Sequence, residues 1–90
     1  MIIYKYRLEI KDRQLIKMKE CAVIMHVGLD VEDHLCVWAE VNSNFRDVQR
    51  EFFVRGTGQE RDDVTGGYLG TVRMDPYMWH VYEGKEIYAN

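Results

Sequence analysis

Apolar and polar residues alternate with period two along most of the chain. In "IIYKYRLEI" Ile2, Tyr4, Tyr6, Leu8 and Ile10 fall on one face, and Lys5, Arg7 and Glu9 on the other. That pattern predicts a half-buried β-strand. "KDRQ" turns the chain, and "QLIKMKE" follows as a weaker strand whose exposed lysines suit a sheet edge. "AVIMHVGLDVEDHLCVWAEV" predicts a hairpin in which Met25 faces Val37 and Val23 faces Ala39. This register gathers Val23, Met25, Val27, Leu35, Val37, Ala39 and Val41 on one apolar face. Ala22, Ile24, His26, Cys36, Trp38 and Glu40 fall on the other, with "DVED" as the solvated tip.

"VNSNFRDVQR" loses the alternation and reads as a loop with at most one short helical turn, capped by Ser43 or Asn44. "QREFFVR" resumes a strand that stops at "GTG", and "QERDDVTGG" is a long polar loop. "YLGTVRM" and "MWHVYE" are the last two strands, and "GKEIYAN" is a tail. Between those strands, Pro76 argues against a two-residue loop, because the residue before a proline is pushed towards extended φ/ψ. A longer loop around "MDPY" is expected. Gly70, in mid-strand, predicts a bulge or a close approach to the backbone. Seven short strands without a convincing helix predict an all-β antiparallel sandwich or small barrel.

Ninety residues, 47% of them apolar and 30% charged, set a single soluble domain, 1–90, that buries about two thirds of its unfolded surface. With so small a core, association adds stability, and a homodimer is expected through the edge that "QLIKMKE" and the apolar N-terminal strand leave, protected only by lysines. A net charge of −3 with interspersed signs gives no basic face for nucleic acid. The longest apolar run, Cys21 to Met25, is too short to span a bilayer, and the N-terminus lacks a signal-peptide core. A cytosolic protein with two reduced thiols is expected. The proposed hairpin register also sends Cys21 and Cys36 to opposite faces, where no disulfide can join them.

The stretches Tyr4–Ile10, His26–Asp30, Leu35–Val41, Phe53–Gly58, Tyr68–Val72 and Trp79–Glu83 carry a resemblance. Read as "YKY.LEI…HVGLD…GTG…YLGTV…WHVYE", the chain resembles a family of small uncharacterised proteins of bacteriophages and prophages. Gln59 departs from that pattern, which favours histidine after "GTG", and the departure speaks against a catalytic or metal role there. The resemblance implies a viral origin and a site of action in the host bacterial cytoplasm. By analogy with other small phage proteins it also implies inhibition of a host defence.

Candidate chemistry is sparse. His26, His34 and Cys36, with His80 as a fourth group, have N and S donors suited to zinc. Their spacing matches no closed zinc motif, so neither a metal nor another cofactor is expected. Cys36 beside His26 is the one nucleophile–base pairing, and it lies in mid-strand. Asp62 with Asp63, and Glu32 with Asp33, read as solvated loop acids, so no enzyme activity is expected.

"RGTG" is the best anion-binding candidate. Gly56, Thr57 and Gly58 leave backbone N–H groups free to turn, and Arg55 adds a charge-assisted donor. No "GK[ST]" or helix follows, so it is not a P-loop. Tyr68, Arg73, Tyr77 and Trp79, with Trp38, offer stacking or hot-spot surfaces nearby. The leading expectation is a non-catalytic, anti-CRISPR-like inhibitor that touches a host defence protein directly. The alternative is an oligomeric sponge for a cyclic or ADP-ribose-like nucleotide signal, and a virion assembly role is the third.

Overall fold

The computed structural model describes residues 1–88 and contains seven strands and, among the described residues, no helix. They are β1 (Ile2–Arg7), β2 (Arg13–Lys19), β3 (Val23–Leu29), β4 (Leu35–Val41), β5 (Asp47–Gly56), β6 (Tyr68–Met74) and β7 (Tyr77–Ile87). They form two antiparallel sheets, one in the order β1-β4-β3 and the other β2-β5-β7-β6. The sheets pack as an open sandwich and do not close into a barrel, which settles the choice the alternation left open.

One core joins the two sheets. Leu35, Val37, Ala39 and Val41 of β4 face Phe52 and Val54 of β5, Val72 of β6 and Val81 of β7. β4 and β5 occupy interior positions in their sheets, which is why they are the most completely buried strands, β5 without a break from Arg50 to Arg55. Leu8, Met18 and Ala22 complete the core where the chain crosses between sheets. At the β1–β2 crossing, Gln14 is buried because its side chain imitates a strand. Its carbonyl oxygen accepts from the Glu9 N–H at 2.9 Å, and its amide donates to the Glu9 carbonyl at 2.8 Å.

Several local expectations are corrected. β1 is an edge strand, so Ile2 and Tyr4 lie on the core-facing side of their sheet yet stay 43% exposed. In the hairpin, a bulge between Ile24 and His26 shifts the pairing, so Val27 faces Val37 and Ile24 faces Ala39. The bulge brings Ile24 and Val27 both to the core side and leaves Val23 and Met25 exposed, unlike the uniform register. Cys36 therefore opposes Gly28, and His26 opposes Trp38. Cys21 belongs to no strand. It sits in a tight turn with φ of 62°, exposed, while Cys36 is buried in β4, and both thiols are free.

Asp75 and Pro76 form a two-residue loop after all, since Met74 pairs directly with Tyr77. The peptide between them is cis, a geometry outside the argument made for trans proline. The expected helical turn at residues 43–45 is a turn closed by the Asn42 side chain, which accepts from the Asn44 N–H at 3.0 Å. β5 starts earlier than expected, at Asp47. β7 runs on through the predicted tail to Ile87, pairing with Gln49; the last two tail residues lie outside the described residues. Gly70 behaves as its position in mid-strand predicted. A register shift falls beside it, and a Cβ there would come within 3.2 Å of the Val27 Cβ, where the β6 and β3 edges meet.

Candidate functional site

β5 ends in the turn Gly56–Gln59. Gly58 takes φ of 93° at the third position, the conformation that favours glycine there. The Gln59 N–H donates to the Gly56 carbonyl at 3.0 Å, and the Gln59 side chain accepts from the Gly56 N–H at 2.5 Å. Both backbone donors are thereby consumed within the turn. Opposite Gly56 in the sheet lies Trp79, and a Cβ on residue 56 would sit 3.1 Å from the indole ring. Glycine is what lets the ring lie against the strand end.

The turn and the β6–β7 hairpin enclose an open groove of about 430 Å³, lined by Gly56, Thr57, Gln59, Pro76, Tyr77, Met78 and Trp79. Tyr77 and Trp79 project from the same face of β7, their rings 5.7 Å apart and tilted by 48°. Trp79 is half-buried against the core, whereas Tyr77 is 60% exposed. The lining holds no Asp, Glu, Lys, Arg or His. Its rim is polar through one chain of contacts. The Thr57 hydroxyl lies 2.9 Å from His80 Nε2, His80 Nδ1 lies 2.8 Å from the Thr71 hydroxyl, and that hydroxyl meets the Tyr68 phenol at 2.5 Å.

A hydroxyl on an imidazole nitrogen is half of a nucleophile–base pair. Here the second nitrogen meets a neutral hydroxyl, which cannot stabilise an imidazolium as a carboxylate does. What the relay does provide is a Thr57 hydroxyl able to donate to or accept from whatever sits in the groove. The direction of its bond to His80 reverses with the histidine tautomer.

Arg55 is not the exposed donor that the sequence led us to expect. It is buried on the opposite face from the core, with every N–H direction taken up inside the protein. Nε donates to the Glu60 carbonyl at 2.9 Å, and Nη1 to the Asp12 and Val54 carbonyls. Nη2 donates to both carboxylate oxygens of Asp63. Asp12, Glu60 and Asp63 outnumber it in the hollow they share, so the local charge repels an anion. Arg55 thus fastens the 57–67 loop over the outside of β5, and the same loop is held by the Glu83 N–H donating to the Gly67 carbonyl.

Of the remaining candidates, Gly56, Thr57, Tyr77 and Trp79 come together at the groove, and Gly58 shapes the turn. Tyr68 stands on the outer face, its ring 5.6 Å from that of Tyr82, and reaches the site only through the Thr71–His80 relay. Arg73 projects into solvent and pairs with Asp75 at 2.6 Å. Pro76, Met78 and Gln59 are additions to the expected site, and His80, considered in the sequence only as a fourth zinc ligand, enters it through the Thr57–Thr71 relay. A glutamine three residues after a glycine, able to close the turn, was the available signal for Gln59. Trp38 lies in the other sheet with the His26 ring 5.4 Å away. Among the described residues no three His, Cys, Asp or Glu side chains gather as metal ligands.

Fold and groove together define a small two-sheet β-sandwich with an uncharged aromatic groove at one end. The chain belongs to the family DUF7352, a domain of unknown function, whose model matches residues 1–89. No curated protein and no solved structure matches it. No helix of the described residues is long and apolar enough to cross a membrane.

Proposed function

We propose that this protein is a non-catalytic binding protein whose Tyr77–Trp79 groove takes an uncharged, largely apolar segment of a partner protein. The observation that carries the reading is the lining itself: two aromatic rings, a proline and a methionine beside the Thr57 hydroxyl and the Gln59 side chain, with no ionised group. Exposed aromatics in a concave site are the side chains that dominate protein recognition. The Thr57 hydroxyl at the rim suits a backbone carbonyl or N–H of the partner.

The resemblance to phage proteins supplies the finer proposal, that the partner is a component of a bacterial host's antiviral defence and the site of action its cytoplasm. The nucleotide-sponge alternative loses support, since a phosphate would meet neither Arg55 nor the backbone N–H groups of Gly56 and Gln59, which leaves it only those of Thr57 and Gly58 beside a hollow rich in carboxylates. No feature of the surface favours a virion role. The test is whether a folded Tyr77→Ala protein loses the ability to restore phage growth on a defended host.

A further inference from the structure

The outer face of the β1-β4-β3 sheet carries no further strand; at one end Asp30 folds over it, its carboxylate 3.7 Å from the Sγ of the buried Cys36. Cross-strand register arranges it in three rows. Ile3, Glu40 and Val23 form the first; Lys5, Trp38 and His26 the second; Arg7, Cys36 and Gly28 the third. Ile3 and Val23 are 55% and 57% exposed, and Met25, beside the bulge, is 55% exposed. The half-buried Trp38 holds the middle, flanked by His26, whose ring lies over Gly28 where a Cβ would collide with it. Large apolar groups around a tryptophan make the core of an interface.

The charges at the two ends of this face are what identify an occupant. Lys5 is already paired with Asp30 at 3.0 Å. Arg7 and Glu40 form no ion pair among the described residues. They lie on opposite sides of Trp38, separated along the strand by four residue steps, or about 13 Å. A two-fold axis lying across the strands at Trp38 exchanges the first row with the third. Glu40 of one copy then stands over the Cys36 row of the other, where Arg7 and Lys5 together outnumber the Asp30 carboxylate, twice by symmetry, with the two Trp38 rows in contact between them.

We infer that this face is a self-complementary dimer interface, its occupant a second copy of the same chain packed face to face. Isologous pairing makes each unpaired charge the partner of its opposite. The interface is separate from the Tyr77–Trp79 groove and leaves both grooves of the dimer open.

Sedimentation equilibrium of the full chain and of charge-reversed variants tests this. The wild type is expected to be a dimer at micromolar concentration. Arg7→Glu and Glu40→Arg, each placing like charges together, are expected to weaken association by about tenfold or more, and the double reversal to restore it. Circular dichroism identifies any variant that fails to fold, and Met25→Asp, at an exposed position, then serves as a second probe expected to dissociate the dimer. A monomeric wild type overturns the inference. So does a dimer indifferent to both single reversals and to Met25→Asp, or a double reversal no tighter than the singles.

Discussion

Nη2 of Arg55 donates to both carboxylate oxygens of Asp63, at 2.9 and 2.7 Å, and so ties the end of β5 to a loop eight residues further on. This is a structural clasp and not a ligand site. Arg55→Ala removes the clasp and leaves the Asp12 and Glu60 carbonyls without their donor. Hydrogen bonds to charged groups are worth about 1.5–3 kcal/mol each, discounted here because Asp63 is largely exposed. A net loss of about 2 kcal/mol is expected, lowering the thermal midpoint by roughly 10 °C in a domain of this size. An unchanged midpoint would show that the clasp does not hold the loop.

Adjacent glycines in that loop give a sharper comparison. A Cβ at Gly66 would overlap the Glu83 carbonyl, whereas one at Gly67 meets nothing within 4 Å. Gly66→Ala has to displace backbone and is expected to destabilise by about 2 kcal/mol or more. Gly67→Ala is expected to stay within about 0.5 kcal/mol of wild type. Urea unfolding of both variants measures the difference, and equal stabilities would contradict the packing of the loop against β7.

Acid should unfold the protein by releasing its held carboxylates. The His34 backbone N–H and the Lys5 ammonium hold Asp30 well below the ordinary aspartate value of 3.8. Arg55 lowers Asp63, and Lys19 lowers Asp47. A carboxylate with a depressed folded pKa stabilises the fold above its unfolded pKa, and that contribution disappears as pH falls through the folded value. Stability should therefore be level near neutrality and decline below about pH 5. In Asp30→Asn the decline should be shallower, from a lower starting stability. A wild-type curve flat down to about pH 2 would refute the assignment.

The two thiols should react very differently. Cys21 is exposed at its turn, whereas Cys36 is fully buried, and burial together with the neighbouring Asp30 carboxylate pushes its pKa up. The thiolate is the reactive form. A disulfide-exchange reagent should modify one thiol promptly in the native protein and the second only on unfolding. Two thiols of equal reactivity would contradict the placement of Cys36 in β4.

The strands were legible in the sequence wherever one face is fully covered. Leu35, Val37, Ala39 and Val41 alternate cleanly because β4 lies between two strands and under the other sheet. β1 carries the same alternation, yet its exposure depends on being an edge, which no local pattern encodes. The bulge at Met25 was hidden because either register leaves an apolar face, so alternation cannot choose between them. Arg55 was misjudged because Glu60 and Asp63 lie in a loop whose path back over β5 no local pattern encodes, and Asp12, 43 residues away, is set beside it only by the β2–β5 pairing. Tyr77 and Trp79 were legible as candidate binding aromatics, but the longer loop expected around "MDPY" took Tyr77 out of the strand, so their shared face on β7 was not. The "GTG" turn was legible both as a turn and as a neighbour of those aromatics, but not as one wall of an uncharged groove.

The plating efficiency of a restricted phage, on a defended bacterial host expressing either the wild-type protein or Tyr77→Ala, bears most directly on the proposed role. Tyr77 is 60% exposed, so its truncation should leave the thermal midpoint nearly unchanged. As a groove anchor it should contribute about 2 kcal/mol to binding, or roughly thirtyfold in affinity. The wild type is expected to restore plaques and the variant to lose most of that protection at equal expression. A folded Tyr77→Ala protein that protects as well as the wild type, or a wild type that never protects, would contradict the account.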